Sequence, residues 1–204
     1  MRREIVVLTA LCAALNLGLG TVIYMLKLPI YLDMVGTLLC GLILWQDRCV
    51  AFGAGATAGV ISFFLGGIVN PYLPWFSATV VAVAAFTALA TSRYSQHLRV
   101  APLASPVFWG RLVSFGVLTG LVAAQLSAPV VVFLFGGVTG SGTAVLVAFF
   151  LKTGSQLMQA ALLSGAAAEP VDKCLQLLIA VFLLRATPVS FLARFQGDGA
   201  GVRG

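Results

Sequence analysis

The chain has 204 residues, 60% of them hydrophobic, with 12 basic and 6 acidic side chains and a mean hydropathy of +1.06. Only 9% are charged, against roughly a quarter in a soluble domain, so too few charges exist to cover a water-soluble globule of this size. The same apolar content excludes a disordered chain, and the net charge of +6 is spread singly between apolar runs, which excludes a nucleic-acid patch.

These limits predict one all-α transmembrane domain over 1–204, an integral bundle of helices about 20 residues each. In chain order, the first apolar run covers about 4–26 and flows into Lys27-Leu28-Pro29, without the small-residue site of a cleavable signal peptide. The second, 29–45, is short and carries Asp33 near its start. The third, 49–69, is rich in small residues, with Gly55/Gly59 and Ala54/Ala58 at helical spacing. Two prolines in Asn70-Pro71-Tyr72-Leu73-Pro74-Trp75 exclude regular helix there. A fourth run at 75–90 precedes a polar connection at 91–111, and a fifth covers 112–135, kinked or broken near Pro129. A glycine-rich loop at 136–142 leads into 143–163, which is apolar but interrupted by Lys152, Gln156 and Gln159. The last run, 171–187, starts at Asp172-Lys173, and a short tail, 189–204, follows.

Arginine placement sets the topology. With six spans and both termini cytoplasmic, all nine arginines lie inside, and the 70–74 and 136–142 loops outside are uncharged. A full crossing by 143–163 would strand Arg185, Arg194 and Arg203 outside, and a Lys with two Gln makes a poor lipid-facing span. That segment is therefore expected to re-enter or to pack inside the bundle.

Polar groups at membrane depth are the candidate functional residues. Asp33 suits either a helix-start anchor or a ligand contact; Lys152 suits an anionic ligand or snorkelling to the interface. Asp172 and Lys173 read as a helix-start carboxylate and its neighbour. The 27–33 turn, the 70–75 knot and the 139–143 loop fall on one membrane face and are expected to wall a pocket for a small planar molecule. Its expected walls are Tyr31, Asn70, Tyr72 and Trp75, and its polar contacts Asp33, Thr139, Ser141, Lys152 and Gln156. Cys12, Cys40, Cys49 and Cys174 form no CxxC pair and read as small apolar side chains, so neither a disulfide framework nor a metal site is expected. The single histidine, His97, has no catalytic constellation near it in sequence, and the glycine loop lacks the ending of a phosphate loop, so no enzyme and no ATPase is expected in this chain.

Taken in order, these motifs resemble the substrate-binding (S) component of an energy-coupling factor (ECF) transporter. The matching parts are Ala10 and Ala14 in the first helix, the Leu28-Pro29-Ile30-Tyr31-Leu32-Asp33-Met34-Val35-Gly36-Thr37 stretch, and Asn70-Pro71-Tyr72-Leu73-Pro74. Gly136-Gly137-Val138-Thr139-Gly140-Ser141-Gly142-Thr143 and Pro170-Val171-Asp172-Lys173 complete the set, which covers nearly the whole chain. The resemblance implies a cell-membrane protein that captures a vitamin or related micronutrient from outside, with no cofactor of its own. It also implies docking through Ala10 and Ala14 onto a transmembrane coupling protein driven by two cytoplasmic ATPases. The family's cobalt and nickel branch needs an N-terminal histidine, whereas this chain begins Met1-Arg2-Arg3, so a metal substrate is not expected. The rival from another class is a membrane sensor or assembly partner without a transported ligand.

Overall fold

The computed structural model describes the backbone of residues 2–195, and their side chains except at 2, 91–93 and 96. Helices α1 (Arg2–Met25), α2 (Val35–Ile43) and α3 (Arg48–Gly66) are followed by a 3-10 turn, Leu73–Phe76. Then come α4 (Ser77–Val100), α5 (Pro106–Phe133), α6 (Ala144–Lys152), α7 (Leu157–Ala186) and α8 (Val189–Leu192). Among the described residues there is no strand. Four stretches, Arg3–Met25, Arg48–Gly66, Leu73–Ala90 and Pro106–Phe133, are long and apolar enough to cross a bilayer. The outside of the bundle is correspondingly oily: Val6, Leu11, Phe64, Leu65, Phe133 and Phe182 are all exposed. In water such a surface would aggregate; in lipid it is the expected exterior. The chain is a membrane-embedded all-α bundle.

At its centre lies α2, whose nine residues are all buried. A helix apolar all round needs neighbours on every side, and α1, α3, α4 and α7 supply them. Close approach depends on small residues. The site of a Gly36 side chain is filled by the Cys12 backbone of α1, and that of Gly59 by Val80 of α4, so the 54–59 small-residue stripe is internal packing. Along α5 and α7, which run antiparallel, Gly116 faces Cys174, Gly120 the Pro170 backbone and Gly165 Ala124, so closely that a Cβ built on Gly120 would meet Pro170 at 2.5 Å and one on Gly165 would meet Ala124 at 3.1 Å.

Several boundaries differ from the sequence expectation. Both helix-internal prolines are absorbed: α5 continues through Pro129 to Phe133, and α7 runs through Pro170 from Leu157 rather than starting near 171. A break at that depth would strand backbone polar groups in hydrocarbon, whereas neighbouring helices can cover one missing hydrogen bond. The expected 91–111 connection shrinks to 101–105, because α4 extends to Val100 and is tied down there. Ser95 Oγ donates to the Leu42 carbonyl, and the Arg185 guanidinium donates to the Leu98 and Ala101 carbonyls while lying 4.8 Å from the Phe108 ring. The 143–163 segment is not one helix. Its α6 part, nine residues and about 14 Å long, is too short to cross. It folds back on α7, so that Thr143 lies beside Ser164, whose Oγ is 3.3 Å from the Thr143 carbonyl. Of the cysteines, Cys12 and Cys40 are buried as expected, whereas Cys49 is exposed at the start of α3. In the tail, α8 is described and residues 196–204 lie outside the described residues.

Candidate functional site

Three nonhelical connections meet at one end of the bundle. The first, 26–34, links α1 to α2 and is pinned from below by α7. Asp172 Oδ1 accepts from the Tyr31 and Leu32 backbone N–H groups at 2.9 and 3.0 Å, and Gln176 Oε1 accepts from Met34 N–H at 3.1 Å. These bonds hold Leu32 at φ +50°, a left-handed conformation that a branched side chain adopts only under such constraint. The second connection, 67–76, is shaped by Asn70, whose Oδ1 accepts from Tyr72 N–H at 3.2 Å. The third, 134–143, is stitched by a hydroxyl chain: Thr139 to Ser141, Ser141 to Thr143, and Thr143 to the Tyr31 phenol at 2.7–2.8 Å. Lys27 Nζ donates to the Gly140 carbonyl at 3.0 Å, joining the first and third connections. Gly140 sits at φ +65° against Tyr24 and Tyr72, so a side chain there would be both strained and obstructed.

Together they roof a cavity whose atom-free space is about 530 Å³ counting its mouth, of which about 60 Å³ admits the centre of a water molecule. That inner space holds several waters or one compact ring. Aromatic walls come from Tyr31, Phe63, Tyr72 and Phe76, and polar groups from Asp33, Asn70, Thr79, Thr139, Ser141, Glu169 and Lys173. Tyr31 also lines two smaller spaces of about 30 and 20 Å³.

Six of the nine residues expected at the site therefore converge: Tyr31, Asp33, Asn70, Tyr72, Thr139 and Ser141. Three do not. Trp75 is 60% exposed on the outer side of the 3-10 turn, and the next residue, Phe76, faces inward in its place. Lys152 is exposed in the last turn of α6, where its charge complements the helix dipole. Gln156 is the N-cap of α7 and forms a reciprocal capping box with Gln159. Its amide serves backbone, so it has no reach toward the cavity. Asp33 is not a helix-start anchor either: Met34 occupies the N-cap of α2 without any side-chain cap bond.

The largest addition comes from α7. Glu169, Asp172, Lys173 and Gln176 are all at most 6% exposed, and their spacing of three, four and seven residues puts them on one helix face. Read through Pro170, that polar stripe is visible in the sequence; read as a helix starting at 171, it is cut in two. Lys173 Nζ lies 2.7 Å from Asp172 Oδ2 and 3.2 Å from Glu169 Oε2, and Gln176 Nε2 donates to Asp172 Oδ2 at 2.6 Å. Asp172 thus accepts four hydrogen bonds and is fully engaged. By contrast Asp33 Oδ1 and Thr79 Oγ1, both buried, have no hydrogen-bond partner within the protein, whereas Glu169 Oε2 is ion-paired with Lys173. Buried polar groups are normally paired, so Asp33 and Thr79 mark where another molecule's donors would fit. Among the described residues no group of His, Cys, Asp and Glu is placed to hold a metal ion.

On the α1 exterior, Ala10, Ala14 and Gly18 follow one another at four-residue spacing, all exposed, and nothing lies within 4 Å of a side chain built on Gly18. They face away from the core residues Leu8, Cys12 and Ala13. Comparison with protein-family models, curated proteins and solved structures finds no match to this chain.

Proposed function

We propose that this protein is the substrate-binding S component of an ECF-type importer, capturing a vitamin or related small organic micronutrient and passing it through an ATPase-driven coupling complex. The observation that carries the reading is the roofed cavity with its buried, unpaired polar atoms, set at the bundle end remote from the arginines. A protein that only packed against other membrane proteins would have no reason to keep unsatisfied polar groups around a space of that size. In this reading the chain sits in the cytoplasmic membrane with six spans and both termini inside. The α6 hairpin stays on the cavity side, and the cavity opens outward. The exposed Ala10–Ala14–Gly18 face of α1 is suited to close helix contact with a transmembrane coupling protein, and two cytoplasmic ATPases supply the energy that this chain has no motif to supply.

The test is coexpression of the tagged chain with the coupling protein and ATPase pair of its own source, followed by affinity purification and mass spectrometry of small molecules released on denaturation. A four-protein assembly carrying one stoichiometric organic molecule is the expected result. In the same assay, Ala10→Leu with Ala14→Leu should abolish copurification of the coupling protein while the isolated chain keeps its small molecule. Failure of the unsubstituted chain to copurify with the coupling protein overturns the reading; copurification of the double variant overturns the docking face alone.

A further inference from the structure

We propose that the ligand of this cavity is a small organic cation, a protonated amine or amidinium carried on a planar ring-sized body. The inference rests on the substrate-binding reading above and specifies its substrate class. Three of the six acidic side chains in the whole sequence, Asp33, Glu169 and Asp172, gather about one ammonium, that of Lys173. Lys173 is committed: 2.7 Å from Asp172 and 3.2 Å from Glu169, it already serves two carboxylates. The deficit of positive charge falls on the cavity side, where Asp33 Oδ1 has no hydrogen-bond donor and Glu169 has only a share of the ammonium that Asp172 holds more closely.

A second observation, on another helix, points the same way. Thr79 is 3% exposed and lines the cavity from α4, yet its hydroxyl has no partner. Buried helical threonines usually bond the carbonyl four residues back, as Thr87 and Thr119 do here at 2.7 Å. A carboxylate oxygen of Asp33 and the Thr79 hydroxyl therefore face one space without a donor, beside a second carboxylate, Glu169, that shares its one cation with Asp172. An anionic ligand would bring a further negative charge to a site that holds one engaged cation, and a neutral one would leave the charge deficit unfilled. A cation fills it, and the Tyr31, Tyr72 and Phe76 rings on the walls attract a delocalised cation through their π faces.

The experiment uses the full chain purified in detergent and three probes of one shape and three charges: benzamidinium, benzamide and benzoate. Thermal unfolding is followed as each is titrated. Benzamidinium should raise Tm saturably, benzamide should do so at least tenfold more weakly in apparent Kd, and benzoate should not act. Asp33→Asn and Glu169→Gln, both isosteric, should each weaken benzamidinium at least tenfold, while Trp75→Ala, outside the cavity, should leave it unchanged. The probe series on the unsubstituted chain stands whether or not the variants fold. Benzamide or benzoate matching benzamidinium, no response to any probe, or full benzamidinium affinity in both folded variants each overturns the assignment. A neutral or anionic molecule in the copurification experiment does so too and leaves the transport reading standing; loss of the coupling complex would strike that reading alone.

Discussion

Asp33 and Asp172 are both buried carboxylates at the same end of the bundle, and their environments give them opposite roles. Asp172 accepts from two backbone N–H groups of the 26–34 connection and from the Lys173 and Gln176 side chains, so it organises the roof of the cavity. Asp33 keeps an oxygen unpaired toward the empty space. Asp172→Asn should therefore destabilise the ligand-free protein by about 2–4 kcal/mol, since it removes a charge that holds Lys173 and turns one acceptor into a donor facing donors. Asp33→Asn should change stability by less than about 1 kcal/mol, because little is lost with a carboxylate that is only partly paired. Thermal unfolding of the two variants in the same detergent checks the contrast. Equal losses would mean that Asp33 is structural. Sequence pattern located Asp33 but misjudged Asp172, because Pro170 suggested a helix start where the chain has a helix middle.

At the scale of elements, the α5–α7 pair sets the position of the charged stripe. Gly120 lets the α5 backbone lie against Pro170, one residue from Glu169 and two from Asp172. A methyl group at Gly120 would meet Pro170 Cα and N at 2.5 Å, and backbone cannot rotate out of the way as a side chain can. Gly120→Ala should cost about 1–3 kcal/mol by forcing the helices apart, and it should weaken ligand binding as the stripe shifts. Gly53→Ala on α3, where nothing lies within 4 Å, should be neutral or slightly stabilising. Unfolding midpoints for both variants decide the point; equal behaviour would remove close packing as the explanation. The connections behave differently from the helices. Proline and glycine content marked all three of them in the sequence, since those residues exclude helix or permit positive φ. The 3-10 turn at Leu73–Phe76 was beyond that signal, and a one-residue difference in its register exchanged Trp75 for Phe76 at the cavity wall.

For the molecule as a whole, charge is segregated between the two ends. Arg48, Arg99, Arg111, Arg185 and Arg194 lie in or beside the elements that meet at the end remote from the cavity, where Arg185 ties α7 to the α4 terminus. Lys27 and Lys152 lie at the cavity end. Under the proposed function, the positive-inside bias predicts a cavity that opens outward. After replacement of the four native cysteines, Ile68→Cys, 86% exposed in the unmodified chain and part of the 67–76 connection, should react in intact cells with an impermeant thiol reagent. Val100→Cys, 79% exposed at the other end, should react only after lysis. The reverse pattern would put the cavity on the cytoplasmic side. Composition alone determined that this chain enters a membrane as helices, because 9% charge cannot solvate its surface and lipid accepts no unpaired backbone. Local chemistry also marked the three irregular connections and most of the polar groups that meet beneath them. Only the tertiary structure decided that α7 continues through Pro170, that Glu169 and Lys173 join the site, and that Thr79 and Phe76 face it while Trp75, Lys152 and Gln156 do not. The reason is that composition and residue type act locally, whereas the direction a side chain faces is set by neighbours many residues away, here by where Gly120 allows α5 to approach and where Asp172 pins the 26–34 connection.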